Sequence, residues 1–117
     1  FAAGHLIHET RGLEGDLLNG IQTNAVRFGK QRCFAAAFAL FSAAYLLLAV
    51  LSLKSMLPPV MVLGACFYPL HCWATWQALR ARLRYQSLLR LQQCYRVMYA
   101  LIGVLILGST AGAWVPW

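Results

Sequence analysis

Residues 33–53 read CFAAAFALFSAAYLLLAVLSL, 21 positions with no Asp, Glu, Lys or Arg. A helix rises about 1.5 Å per residue, so about 20 apolar residues match a hydrocarbon core about 30 Å thick. Two more stretches share this property: residues 55–79, 25 positions, and residues 97–117, 21 positions. The last is the most uniform, because VMYALIGVLILGSTAGAW, from Val97 to Trp114, lacks imidazole as well as charge. The middle one is the least regular, with Pro69 and His71 inside it. One such run also suits the core helix of a soluble protein. Three in a chain of 117 residues leave too little polar sequence to wrap them.

Composition agrees. The chain is 61% hydrophobic and 11% charged, whereas soluble domains are about 45–50% apolar and about 25% charged. This argues against a soluble monomer, and a disordered chain is excluded because disorder requires little apolar and aromatic content. The length allows one domain. The expected fold is all-α: a polytopic membrane protein with three transmembrane helices over about 33–53, 58–79 and 97–117, preceded by a leader, 1–32, that carries an amphipathic helix over about 13–32. A cleaved signal peptide does not explain the first span, since its leader and its apolar run are both too long. Phe1 in place of Met fits either a longer chain or a removed targeting peptide.

The ten cations fix an expected orientation. Arg11, Arg27, Lys30 and Arg32 precede the first span, and Arg80, Arg82, Arg84, Arg90 and Arg96 lie between the second and third; only Lys54 lies between the first and second. Three spans put nine cations on one side against one on the other, which assigns the leader and the 80–96 connection to the cytoplasm or the mitochondrial matrix of an inner membrane. Trp73 and Trp76 at the inner end of the second span, and Trp114 and Trp117 at the outer end of the third, occupy the interfacial positions this topology requires.

The outer connection, KSMLPP (54–59), predicts a tight turn into a helix that begins at proline. The inner connection, RARLRYQSLLRLQQCYR (80–96), contains no Gly or Pro and predicts helices that project past the bilayer and turn near 85–87. Its arginines suit headgroup solvation or contact with an acidic partner or anionic lipid; a short loop against a membrane is a poor platform for nucleic acid. In the leader, Leu13, Leu17, Leu18, Ile21, Ala25 and Phe28 recur at helical spacing, with Glu14 and Asp16 early and Arg27, Lys30 and Arg32 late, as the helix dipole favours. Gly12, Gly15, Gly20 and Gly29 weaken that helix in isolation, so it should lie at the headgroups or on a partner. FAAGHLIHETR, residues 1–11, shows no dependable pattern.

His71 is the one ionisable side chain deep in a span that invites a functional reading, in the setting CFYPLHC with Cys66, Tyr68 and Cys72. Pro69 cannot donate to the carbonyl of Ala65. His71 is either an axial haem ligand or quinone contact, or a neutral side chain hydrogen-bonded to a neighbouring helix. A bis-histidine haem needs a second intramembrane His, which only another subunit can supply. His5, His8 and Glu9 sit close in sequence, but an unpatterned leader favours a solvated segment over a metal site. Cys33, Cys66, Cys72 and Cys94 form no C-x-x-C pair and are read as small apolar free thiols. No phosphate loop, metalloprotease motif or nucleophile elbow appears, and all three acids lie in the leader, which argues against an enzyme and against a small-molecule substrate.

The spans instead offer close-packing surface. Gly108 and Gly112 form a G-x-x-x-G with Gly103 nearby, and Ala35, Ala39 and Ala43 repeat every four residues. Small residues let backbones approach, which drives helix association in lipid. The expected function is that of a non-catalytic accessory or assembly subunit of a larger complex, in an energy-transducing membrane, with other membrane subunits as partners and bound phospholipid. A haem- or quinone-binding anchor using His71 is the alternative, and a small pore- or holin-like oligomer built through Gly108 and Gly112 a further one.

Overall fold

The computed structural model describes residues 1–111, whose regular structure is all helical, with no strand among them. Helix α1 spans Ala2–Leu18, α2 Asn24–Phe28 and α3 Lys30–Leu53. A 3₁₀ turn, Pro59–Met61, leads into α4, Val62–Ala65; α5 covers Phe67–Arg80 and α6 covers Tyr85–Ala111.

Two of these helices, α3 with 24 residues and α6 with 27, are long and apolar enough to cross a membrane. Only 22% and 17% of their apolar windows are buried. A core helix of a soluble protein would be covered along most of its length. Here Leu46, Leu47, Leu53, Val97, Val104 and Leu107 all project outward.

The middle segment, expected as a third unbroken span over 58–79, is interrupted at Cys66, and its longest helix is the 14-residue α5. The cause is Pro69. It has no N–H for the carbonyl four residues back, that of Ala65, and its ring crowds that turn. Helix α4 ends at Ala65, and the Cys66 N–H donates three residues back to Leu63 O at 3.1 Å.

The leader also differs from expectation. No continuous helix runs over 13–32. Instead α1 starts at Ala2, within the segment that showed no pattern, and ends at Leu18. Its end is a Schellman cap: Ile21 N–H donates to Asp16 O at 2.9 Å and Gly20 N–H to Leu17 O at 3.4 Å, with Gly20 at φ +67°. Ala3, Ile7 and Thr10, spaced i, i+4, i+7, are the buried face of α1 and pack against α3 and α6. Gly4 faces the Tyr95 ring while Arg11 lies over the Tyr85 ring, so α1 runs antiparallel to α6. The apolar residues that defined the expected helix, Leu17, Leu18, Ile21 and Phe28, point outward; of that set Ala25 is buried.

The inner turn falls at residues 81–84, ahead of the expected 85–87. It too is a Schellman cap, with Leu83 N–H on Ala78 O and Arg82 N–H on Leu79 O, both at 3.0 Å. Leu83 and Ala78 are both buried and form the apolar contact such caps carry. This turn has no glycine, so Arg82 and Leu83 take φ +56° and +52° themselves. The same cap closes α3, where Met56 N–H donates to Leu51 O at 3.0 Å and Ser55 has φ +57°.

Candidate functional site

His71 is the hub of the core. Pro69 starts the second segment on a new course two residues before it, and α5 then carries His71 inward, where it is 1% exposed. Four aromatic side chains surround the imidazole: Phe41 at 4.5 Å between centroids, Tyr45 edge-on at 5.7 Å, Tyr95 stacked at 6.2 Å and Phe38 at 6.4 Å. Tyr68 and Tyr99 extend the cluster through Tyr45, at 5.3 and 5.9 Å. Tyr68 hydroxyl and Ser42 Oγ are 3.0 Å apart, tying the second segment to α3 inside the apolar zone.

His71 Nδ1 has no hydrogen-bond partner among the described residues. The expected bond to a neighbouring helix is therefore not made at that atom. The void beside the ring, walled by Ile7, Phe34, Phe38, Phe41, Thr75 and Leu91, is too small for a water.

The small residues divide by use. Ala35, Ala39 and Ala43 are all exposed on α3, and Ala35 also lines a groove between α3 and α5. Gly103 and Gly108 have nothing within 4 Å of the position a Cβ would take, so neither serves packing within the chain. Gly112, with Trp114 and Trp117, lies outside the described residues. The glycine that does permit close approach is Gly64, whose Cβ would lie 3.1 Å from Leu48 Cδ2 and 3.4 Å from Ile102 Cγ1. It seats α4 between α3 and α6. The same small-residue logic applied to the second segment would have singled it out, but it stands alone there without a repeat.

Arg80, Arg82, Arg84, Arg90 and Arg96 are all exposed, and none makes an ion pair among the described residues. Arg80 lies over the Trp76 ring at 4.7 Å, a cation–π contact. The leader's polar groups, by contrast, are engaged. Glu9 is buried, not solvated; its carboxylate accepts from Asn24 N–H at 2.9 Å and faces His5 Nε2 at 2.9 Å. Asn24 opens α2, so Glu9 joins Thr23 Oγ1, which accepts from Val26 N–H at 3.3 Å, in satisfying that helix's free N–H groups. Arg11 bonds Gln92 Oε1 and approaches His8 Nδ1 at 3.1 Å, fastening α1 to α6. Among the described residues no three His, Cys, Asp or Glu side chains gather to hold a metal, and all four cysteines are free.

A separate feature had no sequence signal. Helices α3 and α5 run antiparallel in contact near Ser42 and Tyr68, then part toward the start of α3 and the end of α5. They leave a groove of about 930 Å³. No protein-family model matches this chain, and no significant match to a curated protein or to a solved structure was found.

Proposed function

We propose that the chain is a non-catalytic accessory or assembly subunit of a larger membrane complex, docking on its partner through the outward small-residue face of α3. The observation that carries this is the exposure of Ala35, Ala39 and Ala43 in one line along a helix whose apolar window is mostly uncovered. Small residues in line let a second backbone approach closely in lipid, where packing rather than the hydrophobic effect drives association. The polar groups fit the same reading, because Glu9 caps α2 and Arg11 with Gln92 fastens α1 to α6.

In this reading Pro59–Arg80 crosses the membrane as a kinked third span: 22 residues with a rise of about 33 Å. The leader and the 81–84 turn then lie on the side carrying nine of the ten cations. Native gel migration after extraction of natural membranes in mild detergent tests the proposal. The chain should run well above its own 13.0 kDa, and Ala39→Leu should release it as a monomer with unchanged helicity. A wild-type chain that migrates alone would overturn the proposal.

A further inference from the structure

The groove between α3 and α5 has two unlike ends. At its mouth stand Lys30, the first residue of α3, and Arg82, in the turn after α5. Neither has an acidic partner among the described residues. Further in, the walls are apolar, formed by Phe34 and Phe38 from α3 and Leu79 and Cys72 from α5. Thr75 lines the groove between the cations and the aromatic floor. It is 5% exposed, and its hydroxyl has no hydrogen-bond partner among the described residues. From Lys30 to Phe38 the groove follows α3 for about 12 Å, most of the roughly 15 Å hydrocarbon depth of one leaflet. Its volume, about 930 Å³, lies in the range of about 300–1,000 Å³ that small-ligand sites occupy.

We infer that this groove is a binding site for one anionic phospholipid, resting on the reading that the chain lies in a membrane. The phosphate meets Lys30 and Arg82, whose charges are otherwise uncompensated, and charge-assisted bonds to phosphate are among the stronger polar contacts. The glycerol ester region passes Thr75, on the groove wall between the cations and the aromatic residues. One acyl chain lies against Phe34, Phe38 and Leu79. Trp76, at the wall with Arg80 over its face, occupies the interfacial depth where indole rings settle. A zwitterionic lipid brings its own ammonium to the mouth and meets repulsion there. Free phosphate lacks anything to fill the apolar part of the site.

Native mass spectrometry of the full chain, released from micelles containing phosphatidylglycerol and phosphatidylcholine in equal amounts, tests this. One phosphatidylglycerol should stay bound in preference to phosphatidylcholine. Lys30→Gln combined with Arg82→Gln should lower its retention roughly tenfold or more, while Arg90→Gln with Arg96→Gln, equal in charge change but outside the groove, leaves it unchanged. Added inorganic phosphate should not displace the lipid. Equal retention of the two lipids, an equal loss in both double variants, or displacement by phosphate would overturn the site. Carbonate washing of membranes keeps the underlying reading separate. A chain that washes out contradicts membrane insertion itself, whereas a chain that stays in and shows no lipid preference contradicts only the groove.

Discussion

Gly64 and Leu48 approach so closely that a Cβ on Gly64 would lie 3.1 Å from Leu48 Cδ2, with Ile102 Cγ1 at 3.4 Å on the other side. The broken second segment is seated by that contact, since α4 is only four residues long and cannot hold its place by length. Gly64→Leu should therefore destabilise the bundle by about 1–3 kcal/mol, the usual cost of overpacking. Gly108→Leu, in open space within α6, should leave stability unchanged or raise it by up to about 1 kcal/mol. Helicity followed through a denaturing-detergent titration separates the two.

His71 acts as a packing piece among Phe38, Phe41, Tyr45 and Tyr95, with Nδ1 unpartnered. Replacing such a group by an apolar ring of similar shape should be neutral or mildly stabilising. His71→Phe is expected within about 1 kcal/mol of wild type, whereas His71→Ala should cost about 3–5 kcal/mol through the cavity it opens. The same unfolding titration reads both. A large loss in His71→Phe with an intact Phe-sized fit would restore a polar role for the imidazole.

Ser55 closes α3 at φ +57°, a region that costs an L-residue about 1 kcal/mol and glycine little. Ser55→Gly should raise stability by up to about 1 kcal/mol, measured as a higher midpoint of thermal unfolding in detergent. No rise would mean the turn relaxes in the membrane.

Glu9 accepts from the first N–H of α2 and faces His5. Glu9→Ala should cost about 1–2 kcal/mol locally and speed amide hydrogen exchange across Asn24–Phe28, with little change in α3. Thr23→Ala should show the same pattern more weakly, its bond being longer at 3.3 Å.

Much of this fold was legible because membrane-length apolarity is a strong signal. The run from Cys33 to Leu53 lies within α3, and the stretch from Val97 to Ala111 lies within α6. The break in the second segment was half visible: Pro69 and the orphaned Ala65 carbonyl were read correctly, but not that the helix would stop at Ala65. The leader's clearest periodicity, Leu13 to Phe28, consists mostly of residues that face outward, with Ala25 the buried exception, whereas the buried Ala3, Ile7 and Thr10 are too few to register as a pattern. The inner turn was misplaced because nothing local marks it. Arg82 and Leu83 occupy positions usually given to glycine, and tertiary burial of Leu83 on Ala78 decides them. The groove between α3 and α5 arises from how two helices diverge, which no single stretch of sequence records.

The most direct test of the central claim is a photo-cross-linker placed at Ala39 in natural membranes. The account predicts a covalent adduct with another polypeptide from Ala39, on the outward small-residue face of α3, and none from a cross-linker at Val104, exposed on α6. Lipid adducts alone at both positions would contradict it.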